Sequence, residues 1–225
     1  AWSLGMTDAP NAPVIAHVSP AFGFLVAVAR TKQSGAGGIA LYRIVNDANA
    51  APALLTTIET EEGARVGDLT FTFAAGDDET HHRGLLAYRV GCADARVEAR
   101  TLEIDDVSLE VGGEPAVVAE GLGLSQRRPS VAWLEGDASF HVAFDVVDTG
   151  ARSYLAVAQI AADGTPIGAA LEDPIAGIPN ALFSHRSTLE VNAAGDGVSL
   201  VAFASTADGS LRQLRSVTLA CRASE

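Results

Sequence analysis

Lysine is nearly absent: Lys32 stands alone, and 15 basic residues face 28 acidic ones for a net charge of −13. The average field of such a chain repels a phosphate backbone, which excludes nucleic acid as an expected partner. No run of about 18 apolar residues occurs, which excludes a membrane-spanning helix. Apolar residues nowhere recur at i, i+3, i+4 and i+7 over a useful length, so any helix is short. Cysteine is limited to Cys92 and Cys221, far apart and without Cys-x-x-Cys spacing, which excludes a cysteine metal knot. Three states stay open for them: one internal disulfide, two buried thiols, or a bond from Cys221 to a partner chain. The sole methionine is Met6 and residue 1 is Ala, a start consistent with a removed signal peptide. An extracellular or periplasmic location is the expectation.

Glycine and proline are plentiful, at 22 and 9 residues, and hydrophobic residues reach 48 % against 19 % charged, which places the chain among folded proteins. The dominant feature is a repeat. One apolar run reads Val26-Ala27-Val28-Ala29, Leu86-Ala87-Tyr88-Arg89, Val142-Ala143-Phe144-Asp145 and Val201-Ala202-Phe203-Ala204, with central alanines 60, 56 and 59 residues apart. A second landmark ends at Ile44, Leu102, Ile160 and Val217, spaced 58, 58 and 57. A third precedes the first, near Val14, Leu69, Val131 and Leu189. Each run is rich in branched and aromatic residues and is bounded by turn residues, the pattern of a strand. Gly136-Asp137, Asp196-Gly197 and Asp163-Gly164 mark hairpin turns.

A period of roughly 57 residues with three or four strands per unit predicts an all-β fold. The expected form is a small β-propeller of four blade-like, four-stranded units in one domain: 11–67, 68–126, 127–185, and 186–225 together with 1–8. The fourth strands are expected at 52–59, 115–121 and 166–172, and residues 1–8 are expected to close the last unit. A strand flanked by two neighbouring blades is buried on both faces, which accounts for continuous apolar runs such as 24–29 and 200–204. A sandwich or a β-solenoid is the alternative. In these landmarks the chain resembles bacterial β-propeller repeat proteins. The resemblance is architectural, because WD40 pairs, a complete sialidase-type box and integrin-type calcium loops are all missing.

Three polar groups are candidates for chemistry. Asp77, Asp78, Glu79, His81 and His82 crowd the loop between the first two strands of the second unit, and such oxygen and imidazole donors suit a divalent cation. They lack a recognised ligand spacing, so a solvated hairpin tip without cofactor is the expected state. Arg65, Arg128 (beside Arg127) and Arg186 precede the first strands of three units, where guanidiniums converging on a channel mouth would hold a carboxylate such as that of sialic or uronic acid. Pairing with nearby acids is the competing outcome. Asp68, Glu135 and Glu190 are the channel-side carboxylates. No Gly-x-Ser-x-Gly elbow or His-Glu-x-x-His pair is present, and no catalytic residue is assigned. Two functions follow as expectations: a binding or scaffold module whose rim loops contact a protein or glycan, or a glycan-acting hydrolase or lectin that uses the arginines with Glu190 or Asp68. Membership of a larger multichain assembly is a third. Calorimetric titration of the metal-stripped protein with calcium, zinc and copper is expected to give no binding heat; heat that disappears in His81→Ala or His82→Ala would assign a metal to the loop.

Overall fold

The four apolar landmark runs become the second strands of four antiparallel sheets. The computed structural model describes residues 13–31, 37–47, 49–60, 64–74, 80–91, 94–123, 125–147, 153–172, 187–191, 197–205 and 212–220. The first sheet holds β1 (Val14–Ser19), β2 (Gly23–Thr31), β3 (Gly37–Ile44) and β4 (Ala53–Glu59) in that order. The second holds β5 (Val66–Phe73), β6 (His82–Val90), β7 (Arg96–Ile104) and β8 (Leu109–Val111), with β9 (Ala116–Val117) also paired to β7. The third holds β10 (Ser125–Leu134), β11 (Ser139–Val147), β12 (Ser153–Ala161) and β13 (Pro166–Glu172). In the fourth, β14 (Ser187–Val191), β15 (Gly197–Ser205) and β16 (Arg212–Ala220) are described. The up-and-down order of every sheet is that of a propeller blade.

The alternation of side chains along each second strand sorts them between two neighbours. On β6, Leu86, Tyr88 and Val90 join Leu25, Ala27, Ile39 and Leu41 in a core between the first and second sheets. Leu85 and Ala87, one residue out of phase, join Phe140, Val142, Phe144 and Val146 of β11 in a core between the second and third. Ala143 of β11 turns instead to Leu189, Val198 and Leu200, in a core between the third and fourth. Among the described residues, three apolar seams therefore join the four sheets, and the small alanines at the centre of the second strands let the sheets approach.

Polar ties reinforce two seams. Arg43 stacks over the Phe22 ring at 4.9 Å, donates from Nε to the Phe22 carbonyl at 2.8 Å and from Nη2 to the Ala21 carbonyl at 2.8 Å. It also reaches the Asp106 carbonyl of the second sheet at 3.1 Å. Gln126, at the start of β10, accepts from the Val97 amide at 3.1 Å and donates to the Ala119 carbonyl at 2.7 Å, joining β7 to the third sheet.

One expectation needs correction in detail. The outer strand of the second sheet is not one segment at 115–121; it is split into β8 and β9. Asp105 takes the amides of Val107 and Ser108 in a tight turn, which starts β8 immediately after β7. Arg100 then bonds the carbonyls of Gly112 and Gly113, which pulls the intervening segment off the ladder before β9 resumes. The Gly136-Asp137 turn is a single 3-10 turn (Glu135–Asp137) closed by Ala138 at φ 48. The Asp163-Gly164 hairpin forms as expected, with Gly164 at φ 91, a backbone shape suited to glycine. The predicted closing strand at 1–8 lies outside the described residues. Truncating Phe144, which is fully buried, to Ala is expected to cost about 3–5 kcal/mol in denaturant unfolding, whereas Leu171→Ala on the exposed edge of β13 stays within about 0.5 kcal/mol.

Candidate functional site

The inner strands of the second and third sheets both open on a β-bulge. The register of β5 on β6 shifts between Gly67 and Thr70, and that of β10 on β11 between Arg127 and Ser130. The bulged residues are Asp68, at φ 50, and Arg128, at φ 52. Left-handed backbone is unfavourable for an arginine and better tolerated by an aspartate, so Arg128 in particular is held there by its surroundings.

These two residues occupy the same place in the repeat, and each meets an opposite charge at a common position on its second strand. Arg89 donates from Nε to Asp68 Oδ2 at 2.8 Å. In the next sheet the charges are exchanged: Arg128 lies 3.5 Å from Asp145 Oδ2. Gly67 pairs with Arg89 across the first ladder and Arg127 with Asp145 across the second, so the two ion pairs are equivalent in register. The corresponding second-strand residues of the first and fourth sheets are Ala29 and Ala204. Strand β5 packs on β10, and the bulges open these two neighbouring inner strands.

The two carboxyls differ sharply. Asp68 keeps 30 % of its side chain exposed, whereas Asp145 is 4 % exposed as a residue. Asp145 Oδ1 has no hydrogen-bond partner. Burial pushes the Asp145 carboxyl up to about 7, and the charge of Asp68 adds to the rise, while Arg128 and Arg127 oppose it. A carboxylate and guanidiniums at the opening, backed by a carboxyl inclined to keep its proton, can donate and accept hydrogen bonds with a hydroxylated ligand and can exchange a proton with it.

A second polar network closes the far end of the third sheet. Asp137 accepts from Ser139 Oγ at 2.7 Å and from Gln159 Nε2 at 3.0 Å, and its Oδ2 meets His141 Nε2 at 3.1 Å. Ser139 Oγ meets the same His141 nitrogen at 3.3 Å. A relay needs the hydroxyl and the carboxylate on opposite ring nitrogens, and Ser139 is fully buried, so this network pins the hairpin and does not form a nucleophilic triad. Trp133 extends the pin by donating to Glu135 at 2.8 Å and packing on Phe140 at 4.7 Å.

Of the residues singled out by sequence, Arg128 and Asp68 fall in the bulged site. Arg65 is exposed just before β5, and its carbonyl accepts from Gly91. Glu190 lies in β14 opposite Ser199. His81 is exposed with Nδ1 3.0 Å from Thr80 Oγ1, and His82 opens β6 with a buried Nε2 that has no hydrogen-bond partner. Arg186, Asp77, Asp78, Glu79, Cys92 and Cys221 lie outside the described residues, as does the side chain of Glu190. Among the described residues, no three metal-ligating side chains converge. Arg89 and Asp145 were missed by sequence. Their signal is that the fourth position of the second-strand landmark reads Ala, Arg, Asp, Ala through the repeat.

Solved structures share the fold, among them the following two. One is a thermostable family-43 glycoside hydrolase, with TM-score 0.53, 15 % identity, and coverage of 94 % of this chain and 72 % of that one. The other is an α-L-arabinofuranosidase from Lactobacillus brevis, with TM-score 0.51, 10 % identity, and coverage of 92 % and 71 %. At these identities the likeness is one of fold, and the fold of these neighbours is a five-bladed β-propeller, against four sheets described here. No protein family and no curated protein matches the sequence.

The raised Asp145 carboxyl makes stability depend on pH with a defined sign. The folded state binds this proton more tightly than the unfolded chain, whose carboxyl titrates near 3.8. The contribution is complete below that value and is lost as pH rises through about 7. Relative to Asp145→Asn, the protein is expected to lose a few kcal/mol between pH 5 and pH 8 in denaturant unfolding; a constant difference across that window contradicts the buried, proton-holding carboxyl.

Proposed function

We propose that this protein acts on glycans, and that the paired cluster of Asp68, Arg89, Arg128 and Asp145 is its site. The observation that carries the proposal is the division of labour between two neighbouring carboxyls: Asp68, open and ion-paired to Arg89, and Asp145, buried with an unpartnered oxygen. Cleavage of a glycosidic bond requires that division, one carboxyl to give a proton and one to work as a base or nucleophile. Sugar hydroxyls are both donors and acceptors, and a carboxylate flanked by guanidiniums answers both.

The folds of the two solved glycoside hydrolases support this reading by analogy only, because one fold hosts many functions. A scaffold whose rim loops bind a protein would leave the strained, charge-exchanged bulges without a role. Polymeric glycans are met outside the cytoplasm, and the proposal carries an extracellular or periplasmic setting with it.

Asp68→Asn is the decisive variant, since Asn tolerates the left-handed backbone at this position and removes only the charge. In a reducing-sugar screen over arabinose-, xylose- and uronic-acid-containing polysaccharides, the protein is expected to release sugar from at least one. Asp68→Asn is expected to lower that rate at least about a hundredfold, and Asp163→Asn, in the distant β12–β13 turn, to leave it unchanged. Retention of glycan by the protein without release would assign the cluster to binding alone, and the absence of both binding and release would contradict the proposal.

A further inference from the structure

Cleavage through Asp145 requires a proton to pass from it to a ligand, yet this carboxyl has almost no contact with water. Its side chain is 6 % exposed, and its Oδ1 is buried without a hydrogen-bond partner. Arg128 stands against it: Nη1 lies 3.5 Å from Oδ2, and 40 % of the arginine side chain is exposed. A group that touches a buried carboxyl while itself facing water lies between the two. The bulge places it there. Arg127 is the residue opposite Asp145 across the ladder, and Arg128, held at φ 52, is the extra residue of β10. The equivalent bulge of the second sheet carries the carboxylate itself, Asp68, and that side chain stays 30 % exposed. One motif thus leaves one carboxyl open and covers the other.

We propose that the Arg128 side chain is a gate over Asp145: closed in the free protein, it must swing aside before a ligand can reach the carboxyl. The inference rests on the glycan-acting reading and adds a control step to that site. A contact of 3.5 Å is longer than the about 2.7–2.9 Å of a charge-assisted hydrogen bond, so the closed state is not locked by a two-point fork. Arg128 makes a further interaction besides this contact, and the gate does not require it to be free. It requires only that the guanidinium part from Oδ2 while the backbone stays. Opening does not cost the carboxyl its proton, because the Arg128 charge favours ionisation and its departure favours the protonated form.

The test is carboxyl labelling of the intact protein with a water-soluble carbodiimide and an amine at about pH 5.5, read residue by residue by peptide mass spectrometry. At that pH Asp145 keeps its proton with or without Arg128, so its rate reports access. A gate open for about a tenth of the time or less predicts that Asp145 is labelled about tenfold faster or more in Arg128→Asn and Arg128→Gly. Both substitutions suit the left-handed backbone. Two rates are expected to stay within about twofold of native. One is that of Asp145 in Arg127→Gln, which removes a charge acting on Asp145 and leaves Arg128 in place. The other is that of Glu98, a buried carboxylate of β7 that reports loss of the fold, in every variant. Labelling of Asp145 at the native rate in both Arg128 variants overturns the gate, since another group then covers the carboxyl. A rise in Arg127→Gln equal to theirs overturns it too, because charge and not cover then sets the rate. A rise at Glu98 alongside Asp145 in both Arg128 variants overturns it as well, because Arg128 then holds the fold as a whole. No glycan enters the measurement, so each of these results leaves the polysaccharide screen to judge the glycan reading separately.

Discussion

Burial of each second strand on both of its faces is the constraint from which the rest of this molecule follows. A sheet with one wet face needs no neighbour on that side, whereas β6 and β11 present apolar side chains in both directions and require a sheet on each. Ala87 and Ala143 are small enough for the sheets to approach at the centre of the seams, and both are fully buried. Charge cannot be placed there without a large desolvation cost. It enters two residues later, at Arg89 and Asp145, where the strands run out toward the opening of the inner strands.

At that margin the two ion pairs behave differently because their burial differs. Arg89 and Asp68 stay partly in water, where a charge pair is weakly coupled to the fold. Asp145 is buried, and the charges of Arg128 and Arg127 do not offset its loss of hydration, so its proton is retained toward neutral pH. Exchange of the charge between equivalent positions of adjacent sheets thus yields one half-buried and one buried carboxyl from a single structural motif. The bulges do the positioning, and the apolar seams on either side keep the pairs from spreading.

Much of the architecture was legible because a strand period repeats its apolar core. The landmarks around Ala27, Ala87, Ala143 and Ala202 fall within β2, β6, β11 and β15, and the fourth strand of the third unit runs from Pro166 to Glu172 as expected. The split of the second unit's outer strand was not legible, since it depends on Arg100 reaching two glycine carbonyls across the ladder. The site was half legible. Asp68 and Arg128 stood out as charges ahead of inner strands, but their partners lie a hairpin away, at separations of 21 and 17 residues. Only the register of the ladders, including a one-residue bulge that no local spacing announces, turns those separations into contacts. The aspartate in an otherwise apolar run was a clue of the right kind: a charge at the end of a doubly buried strand has to be paired, protonated, or in use.

The measurement that bears most directly on this account is a carbon NMR titration of the Asp145 carboxyl in the native protein and in Asp68→Asn. The account predicts a midpoint near 7 in the native protein and a lower one in the variant, since removal of the Asp68 charge removes a cause of the rise. A midpoint close to the ordinary 3.8 of an aspartate, unmoved by the substitution, would mean that Asp145 is neither a buried proton holder nor coupled to Asp68, and the two pairs would then be ordinary ion pairs and not a site.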